Sequence, residues 1–363
     1  MSHARGAYLD QWRGLSVLAV ILCHANPARF LPDPHNPLFT ALALCLAKLG
    51  PLGVEVFFVI SGFLITRLLL EEESRTGSIC LKAFYVRRAT RILPAMLFYV
   101  LTVLALSIAG LIRLEPGGAL KAVSFLSNTP LVARSDQFGH LWTLSIEEQF
   151  YLLWPLLLMV AGRFRVPLVV VTLVVAAICA PLPNLMVLTY ANNAMAVYCL
   201  ACGALFALSP RFRAAFGSAR LPTWALLIPL VFVTPLYWEG GWHVGQPFAL
   251  LITPPILVAV VLGRDGVPLG SRLSEALRRI GLVSYSLYLW NSFATLPAQD
   301  YLSPTLRALS LLAIPFAWVS YRYIELPFIA AGRRWSSGII GVSERPSGEP
   351  RFRGNATNLN TAS

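Results

Sequence analysis

Long apolar stretches alternate with short polar segments along most of the chain, and each stretch runs for about 16 to 22 residues. Because the hydrocarbon core of a bilayer is about 30 Å thick, a helix needs roughly 20 apolar residues to cross it. Ten stretches have this length, so the pattern predicts an all-α integral membrane protein, a bundle of about ten transmembrane helices. The predicted spans are approximately 14–31, 49–70, 93–113, 141–161, 166–182, 191–208, 221–238, 248–263, 280–297 and 306–323.

The two ends of the chain differ in composition from the predicted bundle. Residues 1–335 form the predicted transmembrane domain, and residues 336–363, rich in Gly, Ser, Pro, Asn and Thr, are predicted to be a disordered cytoplasmic tail. No secretory signal peptide is expected, because Met1 to Gln11 is polar and the first apolar run contains Arg13 and His24.

The distribution of basic residues tests the span count independently. In a ten-span topology, 21 of the 29 Lys and Arg residues fall in segments on the side of the two termini, and six fall on the other side. Cytoplasmic segments of membrane proteins carry such an excess, so the N- and C-termini are predicted to be cytoplasmic. The net charge of +12 is then a topology signal and an attraction to anionic membrane lipids, and no nucleic-acid partner is expected.

Composition agrees with a membrane protein. Hydrophobic residues make up 56% of the chain and charged residues 13%, about half the usual share of a soluble domain, and the mean hydropathy is +0.66. Cys199 and Cys202 form a C-x-x-C inside a predicted span, but no second pair or histidine accompanies them. They are interpreted as small buried residues, and no metal site is predicted.

The first span carries two ionisable residues on one face. Arg13 and His24 are eleven residues apart, which is about three helical turns or roughly 16 Å of rise. Arg13 lies at the predicted cytoplasmic entrance and His24 near the middle of the membrane. Asp10 precedes Arg13 by three residues and can pair with it. Ionisable residues inside a membrane are costly, so both are functional candidates.

Depth places further polar residues in the layer of His24. Glu55 on the second span, Glu147 or Glu148 on the fourth and Asn291 on the ninth are all predicted in the middle to outer membrane. A carboxylate accepting from one ring nitrogen would orient His24 as a base. Two alternatives remain. His24 could serve only as a hydrogen-bond donor between helices, and one of the glutamates could be a structural partner of an arginine.

The segment between the second and third spans is rich in arginine. Arg87, Arg88 and Arg91 follow one another, and Arg88-x-x-Arg91 puts two guanidinium groups on one side of a helix. Guanidinium groups suit phosphates, and this loop faces the compartment that holds coenzyme A thioesters. The alternative is a basic anchor that binds no ligand.

Six segments in order resemble the acyltransferase-3 family of membrane O-acyltransferases. They cover nearly the whole chain from residue 9 to about 328, and together they are more specific than any single one. The first contains Arg13 and His24 separated by ten residues, and the others match its later signature blocks. The segments are Asp10 to His24, Gly53 to Leu64, Tyr85 to Pro94, His140 to Tyr151, Ser284 to Trp290, and Tyr323 to Pro327.

The resemblance implies acyl transfer, with acetyl the first expectation, from cytoplasmic acetyl-CoA or another acyl-CoA to a carbohydrate hydroxyl at the bacterial inner membrane. The acceptor would be O-antigen, exopolysaccharide or lipo-oligosaccharide, lipid-linked or associated with glycan assembly machinery. His24 would be the catalytic base, with Glu147, Glu148 and Glu55 as its supporting carboxylates. Arg13, Arg87, Arg88 and Arg91 would bind the donor, and Ser61, Trp142, Tyr151 and Asn291 are candidate substrate contacts.

Three other functions remain open at this point. A secondary transporter would also place charges inside ten spans, although the inverted repeats typical of many transporters are not found in the sequence. A passive membrane partner of a polysaccharide synthase would tolerate the loss of His24, whereas an enzyme would not. The same acyl-transfer chemistry could also act on a macrolide or a lipid head group.

Overall fold

The computed structural model describes residues 3–24, 36–129, 137–179, 191–217, 252–263, 271–295 and 313–340. Within these ranges the chain forms helices and no β-strand, which confirms the all-α prediction for them. Three helical segments among them, Leu49–Thr76, Leu81–Ile108 and Gly139–Cys179, are long and apolar enough to cross a membrane. The count of ten spans and the side of the termini stay predictions, and the predicted span 221–238 lies outside the described residues.

The described helices follow the predicted apolar stretches in order. The first half of the chain contains α1 (His3–His24), α2 (Pro37–Thr76), α3 (Leu81–Ile108), the short α4 (Gly118–Val123), α5 (Trp142–Ala161), α6 (Arg165–Cys179), α7 (Ala191–Leu208) and α8 (Pro210–Gly217). The second half contains α9 (Ile252–Leu262), α10 (Ser271–Leu282), α11 (Ser284–Thr295), α12 (Ala313–Val319), a π-helical turn (Ser320–Glu325) and α13 (Leu326–Ile340).

The ninth predicted span and the predicted tail differ from the helices observed. The ninth, predicted over 280–297, is divided at Val283 between α10 and α11. α10 begins nine residues earlier than predicted because its first two turns are amphipathic, with buried Leu277 and a charged outer face. On that face, hydrogen bonds from Arg278 and Arg279 lower the pKa of Glu275 to about 2. α13 continues to Ile340, past residue 336, where the tail is predicted to begin.

Polar contacts fix the turn between α2 and α3. Gly77 ends α2 in the left-handed conformation, with φ of 81°, and its N–H donates to the Glu73 carbonyl. The buried Glu72 side chain accepts from the Cys80 backbone N–H at 2.8 Å and from Arg87 at 2.5 Å. One carboxylate therefore satisfies a free N–H at the start of α3 and binds its first arginine.

A second ion pair joins the far end of α2 to the start of α6. The Arg165 guanidinium donates to both Glu73 carboxylate oxygens, at 2.6 and 2.7 Å. This fork-to-fork pair places the α2–α3 and α5–α6 turns at the same end of the bundle. The positive-inside pattern also puts these two turns on one side.

Glycines allow α2 and α7 to pack backbone to backbone. A Cβ atom on Gly62 of α2 would overlap the Leu200 carbonyl of α7, and a Cβ atom on Gly203 would overlap the Val59 carbonyl of α2. Small residues at helix interfaces are the usual means of close approach in membranes, where helices cannot gain from the hydrophobic effect. Ser61, next to Gly62, contacts α5, where it hydrogen-bonds to Glu147 and Tyr151.

The same reciprocal arrangement joins α1 to α10. A Cβ atom on Gly14 would overlap the Leu277 carbonyl, and one on Gly281 would overlap the Asp10 carbonyl. α1 also packs on α2 along its length, where Gly53 lies against Ser16. α1 is therefore held tightly between two helices at the level of Arg13.

We expect Gly62→Ala and Gly203→Ala to destabilise the bundle by about 1–3 kcal/mol each, because backbone atoms of the facing helix cannot move aside easily. Thermal unfolding of the purified protein in detergent, followed by tryptophan fluorescence, measures the effect. Gly338→Ala is the matched control, since a Cβ atom there would have open space around it. Equal unfolding temperatures for all three variants would contradict the close packing of α2 and α7.

Candidate active site

His24 lies at the C-terminal end of α1, where its Nδ1 is 2.9 Å from the Oδ1 of Asn291 on α11. An amide oxygen only accepts hydrogen bonds, so this contact assigns the proton to Nδ1 and leaves a lone pair on Nε2. Asn291 is buried, whereas the His24 ring is exposed. The histidine is thus oriented on one side and open on the other.

This arrangement corrects one expectation from the sequence. A carboxylate was expected to orient His24, but the structure gives that contact to Asn291, which had been considered a substrate contact. The physical reason is the packing of α1, which lies along α10 and α11. Asn291 lies at the depth of His24, as its position on the ninth span predicts.

Two tyrosines and a second histidine surround this end of α1. His140, in the turn before α5, has its Nε2 3.1 Å from the Leu289 carbonyl oxygen and interacts electrostatically with His24. The Tyr288 hydroxyl hydrogen-bonds to Thr143 at 2.5 Å and donates to the His140 backbone carbonyl. Tyr99 packs edge-on against the His140 ring.

The structure brings together three of the four arginines predicted to bind the donor. Arg13, Arg88 and Arg91 interact electrostatically with one another, and all three are half-buried. We call them the arginine cluster. The Arg88 guanidinium lies over the Tyr151 ring at 5.2 Å, and Arg13 pairs with Asp10 at 3.9 Å. Three neighbouring cations within a helical bundle are a strong attraction for an anion.

Glu147 and Glu148 face the arginine cluster. Glu147 accepts a hydrogen bond from the Ser61 hydroxyl at 2.7 Å, and Ser61 accepts one from the Tyr151 hydroxyl at 3.1 Å. Glu147 interacts electrostatically with all three arginines, and Glu148 with Arg88. Both glutamates therefore lie near arginines, as expected if a glutamate is the structural partner of an arginine.

Three other predicted residues lie apart from these groups. Arg87 pairs with Glu72 at the α2–α3 turn. Glu55 is buried towards α7 and interacts electrostatically with Cys199, and its Oε2 has no hydrogen-bond partner in the described part of the chain. Trp142 packs against Phe58, with ring centroids 6.1 Å apart. Among the described residues, no group of three or more His, Cys, Asp or Glu side chains could hold a metal ion.

Glu325 belongs to the site, although the sequence analysis did not single it out. It is only 1% exposed, accepts a hydrogen bond from the Ser286 hydroxyl at 3.0 Å, and interacts electrostatically with Arg91 and Arg13. It is the last residue of the π-helical turn, a type of turn that is often found at functional sites. The sequence feature that could have identified Glu325 is a carboxylate at the end of an apolar span, within the segment from Tyr323 to Pro327.

A polar face connects the arginine cluster to His24. On α5 and the turn before it, four polar residues recur every three or four positions and so lie on one face. Tyr288 of α11 interacts electrostatically with Glu147, which joins this face to α11. Between Arg13 and His24, α1 rises about 16 Å. The four residues are His140, Thr143, Glu147 and Tyr151.

The described residues thus form a helical bundle, with helices long and apolar enough to cross a membrane, an arginine cluster at one level and a histidine oriented by Asn291 at another. A family model described as an acyltransferase domain, that of the acyltransferase 3 family, matches residues 7–322. The chain belongs to this family, as the resemblance of its six segments predicted.

The chain is also similar to named proteins of Staphylococcus aureus. It is 28% identical to O-acetyltransferase OatA of strain NCTC 8325, over 89% of this chain and 57% of that protein. It is 30% identical to a protein of strain COL named provisionally as an O-acetyltransferase, over 95% of this chain and 59% of that protein. The chain therefore spans less than two thirds of the length of these relatives. No solved structure matches it significantly.

We expect the ion pair between Arg87 and Glu72 to stabilise the fold. Arg87→Gln should lower the unfolding temperature more than the double variant Glu72→Gln/Arg87→Gln, because the single change leaves a buried carboxylate unpaired. A double-mutant cycle on thermal unfolding should give a coupling of about 1 kcal/mol or more. Additive effects of the two substitutions would show that the pair contributes nothing.

Proposed function

We propose that the protein transfers an acyl group, acetyl in the first instance, from cytoplasmic acyl-CoA to a hydroxyl group of a surface or exported carbohydrate. One observation carries this proposal: α1 bears Arg13 within the arginine cluster and, about three turns further on, His24 oriented by Asn291. A site for an anionic donor and a base for a hydroxyl acceptor thus lie on one helix.

The arginine cluster would bind the phosphate groups of the donor. Guanidinium groups bind phosphates through charge and paired N–H donors, which suits Arg13, Arg88 and Arg91. Glu147 and Glu325 would hold these guanidinium groups in place, since each interacts with them electrostatically. The extended pantetheine arm would then follow the polar face of α5 along α1 to His24.

At His24 the transfer would proceed as a general-base reaction. The Nε2 lone pair removes the proton of the acceptor hydroxyl while the hydroxyl oxygen attacks the thioester carbonyl carbon. The carbon–sulfur bond then breaks, and the coenzyme A thiolate takes the proton back from His24. Asn291 keeps Nδ1 protonated throughout and so keeps Nε2 available.

Topology would deliver the two substrates from opposite sides. We place the protein in the bacterial inner membrane with ten spans and cytoplasmic termini, on the strength of its basic residues. The donor then enters from the cytoplasm and the acceptor, lipid-linked or held by glycan assembly machinery, from the outer side. The names of the related O-acetyltransferases support an oxygen acceptor and an acetyl group. A macrolide or lipid head group would use the same base.

His24→Ala should abolish transfer, because general-base catalysis contributes about 10²- to 10⁴-fold. Proton NMR of purified surface glycan gives the O-acetyl content of a deletion strain complemented with wild type or with the variant. Wild type is expected to restore the acetyl signal, and an equally expressed His24→Ala protein is not.

The outcomes separate the parts of the proposal. Full activity of His24→Ala would remove His24 as the base. A glycan that does not change with the wild-type gene would mean that the acceptor or the acyl group is another one. Asn291→Ala should fall between wild type and His24→Ala, since it loses only the orientation of the base.

Arg88→Met and Arg91→Met should each weaken coenzyme A binding about tenfold or more, since a charged hydrogen bond contributes about 1.5–3 kcal/mol. Titration calorimetry of the purified protein with coenzyme A measures this. Arg163→Met is the matched control, because Arg163 is exposed on the α5–α6 turn. Equal losses in all three variants would indicate general charge attraction instead of a phosphate site.

A further inference from the structure

Asp10 is held near the arginine cluster in a different way from Glu147 and Glu325. Each of these two glutamates accepts a hydrogen bond from a serine hydroxyl, at 2.7 and 3.0 Å respectively. Asp10 accepts no hydrogen bond from the residues that the structure describes, and its ion pair with Arg13 is 3.9 Å long. The two glutamates are therefore fixed by hydroxyl donors, whereas the Asp10 carboxylate is held by charge alone.

Asp10 also lies on the side of the cluster from which the donor would enter. It precedes Arg13 on α1 by three residues, so its Cα atom is about 4.5 Å closer to the predicted cytoplasmic side. Its backbone carbonyl lies against Gly281 of α10, which fixes the position of the main chain. The side chain is half-buried, so the carboxylate is anchored beside the cluster and still reaches solvent.

The cations around Asp10 come from three helices. Arg13 of α1, Arg91 of α3 and Arg278 of α10 all interact with it electrostatically. Arg278 is already paired with Glu275 through two hydrogen bonds, at 2.7 and 2.8 Å. Arg13 and Arg91, both members of the arginine cluster, are therefore the cations whose charge Asp10 offsets.

A carboxylate and a phosphate group compete for the same guanidinium groups. Both present negatively charged oxygens to N–H donors, and two anions at one group of cations repel each other. Glu147 and Glu325 keep their positions through their hydrogen bonds with serine hydroxyls. Asp10 has no such bond and lies at the entrance, so a bound phosphate displaces its carboxylate more easily than either glutamate.

We propose that Asp10 is an internal counter-ion of the donor site, which offsets the charge of Arg13 and Arg91 in the empty protein and is displaced by a phosphate group of the donor. This inference rests on the proposed function and adds a residue that limits the affinity for acyl-CoA. The site then binds its donor less tightly than its arginines alone would, which favours release of the coenzyme A product. A carboxylate that only held Arg13 in position would have the opposite effect, because its loss would weaken donor binding.

Two substitutions of Asp10 should change coenzyme A binding in opposite directions. Asp10→Asn removes the charge and nearly keeps the shape of the side chain, so we expect coenzyme A to bind about two- to fivefold more tightly than to the wild type, the size of a partly exposed charge interaction. Asp10→Glu keeps the charge and extends it further into the cluster, so binding should be weaker than in the wild type. Titration calorimetry of the purified full-length proteins at low ionic strength measures both.

Glu71→Gln is the matched control, because it removes one negative charge from the same predicted side of the membrane at a residue that pairs with Arg67. Equal gains in Asp10→Asn and Glu71→Gln would show general charge attraction and overturn the inference. Unchanged or weaker binding by a folded Asp10→Asn protein would overturn it and leave the proposed function standing. If Asp10→Asn does not fold, unchanged or tighter binding by Asp10→Glu has the same meaning. Failure of the wild type to bind coenzyme A would overturn the proposed donor and this inference together.

Discussion

The structure depends on backbone contact between helices at glycine. Lipid removes the hydrophobic gain from bringing two helices together, so they hold to one another only where their surfaces fit closely. Gly62 with Gly203, and Gly14 with Gly281, provide this fit for α2 with α7 and for α1 with α10. α1 carries Arg13, at the arginine cluster, and His24, the proposed base. Its position is set by these contacts and by its packing on α2.

The second constraint is electrostatic. The arginine cluster places three cations in one region of the bundle, and such a group needs counter-charges to exist without a ligand. Glu147 and Glu325, from α5 and the π-helical turn, supply them. Because these carboxylates approach from different helices, the cluster forms only when the helices are assembled. Binding of an anionic donor would therefore favour the assembled bundle as well as position the donor.

The sequence predicted the features that depend on residue type and spacing. The lengths of the apolar stretches predicted the helices. The eleven-residue interval between Arg13 and His24 predicted that both lie on one helix, about three turns apart. Which glutamate meets which partner depends on helix rotation and on the neighbours of α1, and spacing does not determine these. One of Glu147 and Glu148 was therefore expected near His24, but both lie with the arginines, and Asn291 holds the orienting position. Glu325 was not identified because residue spacing does not show that its carboxylate lies near Arg91 and Arg13.

The π-helical turn at Ser320–Glu325 has a consequence for how the chain can change in length. A π turn holds one residue more than an α turn, so the residues after it are rotated by about 100° relative to a continuous α-helix. Conversion of this segment to an α-helix at its present length would turn Gly332 away from Thr90 of α3, which it now touches. Removal of one residue together with that conversion would leave Gly332 in place, because the π turn absorbs a single extra residue. The segment can therefore lose one residue without moving the helix that follows it.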